Sequence, residues 1–192
     1  TRARWLLLGA GGAVVFLVVY VSFMGYAGDR ITAWRHPELD PGDTGYQILQ
    51  SLYAIGSGGV WGLGFGKSRQ KYLYLPFQYN DYIFAIVCEE LGLLGAIAGM
   101  VLFSALILRG CRIARLARDR FSMFLAAGLV SLIAVQTILN LCVVTNLLPS
   151  TGIALPFFSY GGTALAVNLG EMGIVLHISR NRSGGKSRVS GG

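Results

Sequence analysis

Apolar residues along this chain gather into four long blocks, over 5–26, 82–108, 121–148 and 160–178. Each is long enough to cross a bilayer as a helix, which takes roughly 20 residues. The pattern predicts an all-α integral membrane protein with four transmembrane helices. The connections are unequal: a long loop over 27–81, short ones over 109–120 and 149–159, and a polar Gly/Ser-rich tail over 179–192. The long loop is not uniformly polar. Ile48, Leu49, Leu52, Tyr53 and Ile55 recur at helical spacing and predict a short amphipathic helix over 44–55. The glycines that follow break regular structure, and irregular backbone at membrane depth needs protein or a water-filled cavity around it.

Composition agrees with the pattern. The 192 residues are 54% hydrophobic and only 13% charged, against about 25% charged in an ordinary soluble domain. The mean hydropathy is +0.58. The net charge of +7 therefore reads as flanking charge on a membrane protein, and nucleic acid is not an expected partner. Arg2 and Arg4, then Arg109, Arg112, Arg115, Arg118 and Arg120, then Arg180, Arg182, Lys186 and Arg188 fall on one side of a four-span chain. That side is expected to be the cytoplasm, with both ends of the segment on it. The long loop, which mixes Asp29, Glu38, Asp40 and Asp43 with Arg30, Arg35, Lys67, Arg69 and Lys71, is expected outside. Cys88, Cys111 and Cys142 lie far apart with no C-x-x-C pair, and read as small apolar fillers. His36 and His177 are expected on opposite sides, so a metal shared between them is not expected.

The polar residues inside or beside apolar blocks carry the chemistry. Asp81 stands where the loop meets the second block. It reads either as a helix N-cap or as a general base at the mouth of a cavity. Glu89 and Glu90 lie deeper in that block, and acids there face a polar cavity or pair with a cation. Lys67, Arg69 and Lys71 read either as lipid-headgroup anchors or as phosphate contacts beside a glycine-rich backbone. The string GFGKS over 64–68 is not a nucleotide loop, because the required first glycine falls on Trp61. The stretch PSTGIALPFFSYGG over 149–162 suggests a broken helix or re-entrant turn, with Ser159 and Tyr160 bonding a ligand or freed backbone carbonyls. Glu171 lies within the last block, and Asn140 is its expected partner.

Three strings carry a resemblance: DPGDTGYQILQSLYAIGSGGVWGLGFGKSRQKYLYLP, NDYIFAIVCEELGLLG and LLPSTGIALPFFSYGG. In order and spacing they resemble the C-terminal half of the SEDS family (shape, elongation, division and sporulation), the FtsW/RodA/SpoVE group. The first string looks closer to the division and sporulation branches. Near the start of the loop Ala27 stands where the family often has Arg, while Tyr26 and Arg30 match. Phe77, Gln78 and Tyr79 replace a more polar stretch.

The resemblance implies a ten-helix fold, of which this chain supplies the last four spans. It implies a peptidoglycan glycosyltransferase of the bacterial cytoplasmic membrane that polymerises lipid II (undecaprenyl-pyrophosphate-linked disaccharide peptide) into β-1,4 glycan strands at the outer face. The implied partner is a class B penicillin-binding protein, and the implied role lies in division, shape maintenance or sporulation. The family's essential aspartate, in the pattern D-[FY]-I-F-A, falls on Asp81. Lys67, Arg69, Gln70, Lys71, Glu89, Glu90, Ser159 and Tyr160 are the expected substrate-binding set. The charge of the departing pyrophosphate is expected to be met by Arg69, Lys71 or a divalent cation, Mg or Mn, and no resident metal ligands are expected. The rival reading is a lipid II flippase, with Glu89, Glu90 and Glu171 lining a transport cavity.

Overall fold

The computed structural model describes residues 25–39, 44–68 and 81–183. Residues 5–24 of the expected first span, Arg69, Gln70 and Lys71, and the tail beyond 183 lie outside the described residues. Five α-helices follow in order: α1 (Gly25–Arg35), α2 (Thr44–Gly58), α3 (Ile83–Arg115), α4 (Arg120–Val144) and α5 (Gly162–Ser183), with a 3-10 turn at Pro37–Leu39 between α1 and α2. Among the described residues there is no strand.

The chain divides into two compact units, residues 1–49 and 50–192. In the first, α1 occupies a stretch that the sequence pattern left as loop. It stops at Arg35 just before Pro37, as expected where a proline disfavours helical backbone in the residue preceding it. His36 Nδ1 and Glu38 Oε1 meet at 3.2 Å in the turn that follows.

In the second unit α3 packs along α4, and α5 packs against both. The α3–α4 crossing is close because Gly110 faces Val130. A Cβ on Gly110 would come within 2.5 Å of the valine Cγ2, and small residues let helices in a membrane approach this way. α3 ends seven residues later than the expected span. Arg109, Arg112 and Arg115, read as loop, are helical. Arginine is a good helix former, and cations in the last turn complement the helix dipole. α4 starts at Arg120 because Asp119 caps it, accepting from Ser122 N at 2.8 Å.

The packed core joins the head of α3 to the tail of α4 and the segment after it. Ala54, Tyr82, Phe84, Ala85, Cys88, Ala96, Phe103, Val143, Val144 and Leu155 form one buried cluster. The outward faces stay apolar: Leu93, Val101, Leu102 and Leu108 on α3, and Phe124, Val135 and Ile138 on α4, are exposed. α3 and α4 are the two described helices long and apolar enough to cross a membrane. Helices apolar all round suit lipid or further protein, not water.

Candidate functional site

Asp81 stands half-buried at the entrance to α3. The N-cap position itself belongs to Tyr82, whose side chain makes no capping bond. Asp81 is held instead through its main chain. Asn140, fully buried in α4, donates from Nδ2 to the carbonyl oxygen of Asp81 at 2.7 Å and to that of Ile153 at 2.8 Å. One carboxamide thus ties together α4, the head of α3 and the α4–α5 connection. The carboxylate of Asp81 faces Gly152, where a Cβ would sit 3.7 Å from Oδ2. Gly152 has φ +69°, a backbone glycine adopts without strain. The carboxylate is therefore approached here by bare main chain.

The connection between α4 and α5 is irregular, as the sequence suggested. Asn146 and Phe157 both have positive φ, 58° and 65°, and Phe157 carries a cost of order 1–3 kcal/mol that its surroundings must offset. A tight turn does so in part. Ser159 N donates to the Leu155 carbonyl at 3.1 Å, while Leu155 N donates to Ser159 Oγ at 2.8 Å. The Phe158 ring meets Phe103 of α3 with centroids 5.8 Å apart. Ser159 thus satisfies a freed backbone N–H. Tyr160 is 82% exposed. A cavity of about 540 Å³ lies between α4 and α5, with Gln136, Ser159, Thr163, Asn168 and Glu171 among its lining. The expected Asn140–Glu171 pair does not form, because both amide hydrogens of Asn140 serve main-chain carbonyl oxygens, those of Asp81 and Ile153.

A second irregularity lies inside α3. At Gly92 the backbone leaves the helix, with φ 65° and ψ −163°, a region open essentially to glycine alone. In an unbroken helix the amides of Leu93 and Leu94 would donate to the carbonyls of Glu89 and Glu90. Here they donate to Gly59 and Val60 at 2.9 and 3.5 Å, and the Glu89 and Glu90 carbonyls accept from Leu63 and Gly64 at 2.9 and 3.0 Å. The glycine-rich loop after α2 is therefore inserted into the helix break by an exchange of two donors and two acceptors. Contact is at backbone distance: a Cβ on Gly58 would lie 2.0 Å from the Cys88 oxygen, one on Gly62 2.2 Å from the Glu90 oxygen, and one on Gly92 2.4 Å from the Gly62 nitrogen.

The two acids flank this seam. Glu89 is 1% exposed and its carboxylate accepts a short hydrogen bond from Ser68 Oγ. Glu90 is 8% exposed, and its buried Oε1 has no hydrogen-bond partner. Glu89, expected at the substrate, is enclosed and serves the loop. Lys67, one residue before Ser68, is exposed, and its amide donates to the Gly64 carbonyl at 3.1 Å. The structure brings Asp81, Asn140 and Gly152 together, and separately Ser68 with Glu89 and Gly62 with Gly92. Gly152 and Gly92 escaped the sequence reading, and Asn140 entered it only as a partner for Glu171. The available signal was a carboxamide in an apolar block and the repeated glycine in GLLG. Among the described residues no group of three His, Cys, Asp or Glu side chains comes together to hold a metal.

The family model of the FtsW/RodA/SpoVE cell cycle proteins matches residues 2–184. The chain belongs to the FtsW/RodA/SpoVE family. Among curated members, it is 47% identical to stage V sporulation protein E of Bacillus subtilis over 178 residues, covering 93% of this chain and 48% of that protein. It is 45% identical over 184 residues to the probable peptidoglycan glycosyltransferase FtsW of Geobacter metallireducens, covering 96% and 49%. Two solved structures share the fold. One comes from a study of a peptidoglycan synthase complex coordinating polymerization and crosslinking, with TM-score 0.69, 25% identity and coverage of 93% of this chain and 49% of that one. The other is an aspartate-to-alanine mutant of the rod shape determining protein RodA of Thermus thermophilus, with TM-score 0.55, 30% identity and coverage of 69% and 40%. This FtsW/RodA/SpoVE chain spans about half the length of the curated relatives it matches.

Proposed function

We propose that the chain carries the catalytic carboxylate of a peptidoglycan glycosyltransferase that joins lipid II into β-1,4 glycan strands at the outer face of the bacterial cytoplasmic membrane. A class B penicillin-binding protein is its partner, and the segment's two ends lie in the cytoplasm. The observation that carries the reading is Asp81, half-buried at the head of α3, with its main chain clamped by Asn140 and its carboxylate against Gly152. It stands in the family's aspartate pattern, and FtsW relatives bear the glycosyltransferase name. A clamped backbone suits a general base that must meet a bulky sugar in a fixed position.

In the reaction Asp81 takes the proton from the 4-hydroxyl of an acceptor GlcNAc. That oxygen attacks C1 of the donor MurNAc, the bond from C1 to the pyrophosphate oxygen breaks, and undecaprenyl pyrophosphate departs with the electron pair. Inversion turns the α-linked donor into a β-linkage. Lys67, exposed beside the site's loop, and the neighbouring Arg69, Gln70 and Lys71 are proposed to meet the departing charge. A cation would arrive with the pyrophosphate.

The test is Asp81→Asn in the full-length protein purified with its partner and given lipid II. Polymerisation should fall by about 10²–10⁴-fold, the usual effect of losing a general base, with membrane insertion and partner binding intact. Near-normal strand synthesis would overturn the assignment. The cavity lined by Glu171 is the observation that favours transport. Lipid II crossing a vesicle membrane without strand formation would support that rival reading instead.

A further inference from the structure

We propose that Ser68, Glu89 and Gly92 act as positioning residues, locking the basic glycine-rich loop onto the helix that presents Asp81, so that the cation-bearing loop and the general base share one rigid frame. The proposal rests on the reading of Asp81 as general base. The break in α3 is an even exchange: two loop amides replace two helix amides at the Glu89 and Glu90 carbonyls, and two loop carbonyls receive the amides set free. Hydrogen-bond number therefore does little to favour the inserted state over an unbroken helix with the loop released to water. Two other features decide it. Gly92 alone permits the broken backbone, and Ser68 gives the enclosed Glu89 carboxylate a hydroxyl donor. If the loop left, that carboxylate would lose this donor within an apolar helix, which is costly. The Ser68–Glu89 bond thus couples the seating of the loop to a buried acid.

The geometry gives the lock a use. Lys67 adjoins the locked Ser68, and Asp81 enters the same helix eight positions before Glu89, roughly 12 Å at 1.5 Å per residue. That is the scale of a lipid-linked sugar donor with its diphosphate. Fixing both ends of the site on α3 sets the distance between the base and the positive charge that meets the diphosphate. A charge held at a set distance contributes to binding and alignment without taking part in proton transfer.

The experiment uses the full-length protein with its partner and lipid II, and compares Ser68→Ala, Glu89→Ala and Glu89→Gln by steady-state kinetics and by hydrogen exchange at the Leu63 and Gly64 amides. Ser68→Ala and Glu89→Ala should raise KM about tenfold, the effect expected of a lost hydrogen bond to a charged group, with kcat within about threefold of the parent. Their Leu63 and Gly64 amides should exchange faster. Glu89→Gln keeps a carbonyl acceptor for Ser68 and should restore both KM and slow exchange. Unchanged KM and unchanged exchange in Ser68→Ala and Glu89→Ala would overturn the lock. So would a Glu89→Gln variant as impaired as Glu89→Ala with its loop amides still protected, because Glu89 would then act through its charge. Asp81→Asn is measured alongside. If it polymerises normally the functional reading fails, while the exchange data still judge the lock.

Discussion

The two irregular regions of the second unit solve one problem in different ways. In each, helical backbone stops inside or beside an apolar layer and leaves main-chain polar groups to be satisfied. At Gly92 the remedy is backbone against backbone, four hydrogen bonds exchanged between α3 and the glycine-rich loop. At the head of α3 the remedy is one side chain, the Asn140 carboxamide, which serves the carbonyls of Asp81 and Ile153. The backbone bonds of the seam carry no side-chain identity of their own but leave no room for a Cβ at Gly58, Gly62 or Gly92. A side-chain clamp is the reverse: it depends on one residue type and tolerates small changes of volume around it. The clamp sits at the proposed catalytic carboxylate and the seam beside the proposed diphosphate end.

Replacing the clamp should therefore have the larger effect. Asn140→Leu keeps the branch at Cγ and removes both donors, leaving two carbonyls without their present partner at about 1–3 kcal/mol each if they remain buried. Because Asp81 is one of the two residues released, strand synthesis should fall by more than the loss of folded protein explains. Thermal unfolding of the purified full-length variant, set against its specific activity, measures both. Asn140→Asp should behave similarly, since an ionised carboxylate cannot donate. If Asn140→Leu leaves activity per folded molecule unchanged, the clamp is structural alone.

The seam is tested by a pair of glycines. A Cβ on Gly62 would collide with the Glu90 carbonyl at 2.2 Å, whereas one on Gly59 would meet nothing within 4 Å. Both have positive φ, 76° and 55°. Gly62→Ala should open the seam and expose the Leu63 and Gly64 amides to exchange. Gly59→Ala should cost only the backbone strain, about 1–2 kcal/mol, and leave those amides protected. Equal exchange in the two variants would mean that left-handed backbone alone, and not close approach, makes these glycines necessary.

This contrast also explains what could be read from the amino-acid pattern. Long apolar blocks write themselves plainly, and α3, α4 and the helix over Thr44–Gly58 follow from periodicity. Asp81 was legible because a carboxylate beside an apolar block needs a reason. The helix at Gly25–Arg35 was not, since its residues are neither apolar enough for a span nor strongly periodic, and tertiary context decides such stretches. The break at Gly92 was invisible because α3 is apolar on both sides of it, and hydrophobicity does not change when a backbone hydrogen bond changes partner. Asn140 was noticed as a polar residue in an apolar block and matched to Glu171, the nearest acid in kind. Pattern reading pairs charges with amides readily, but gives no warning that a main-chain carbonyl will need the same donor.

The smallest expected effect comes from the opposite end of α4, where a side chain again completes a helix end but in water. Asp119 accepts from Ser122 N at 2.8 Å and from Ser122 Oγ at 2.9 Å. These bonds, the backbone one first, hold its carboxyl below the usual carboxylate range. A carboxylate whose affinity for protons falls on folding stabilises the fold above the unfolded group's pKa, about 3.9, and loses that contribution as pH drops through the lower folded value. The start of α4 should thus keep constant protection of the Ser122 and Met123 amides from neutral pH to mildly acid, and lose some below about pH 4. Asp119→Asn, still a good cap, should remove the pH dependence and keep the protection, while Asp119→Ala should lower protection at every pH. The buried clamp has no titrating group of its own, so Asn140 should hold Asp81 equally across the same range. A shared acid transition at both ends of α4 would show that the helix frays as one piece, and that the clamp is no firmer than an exposed cap.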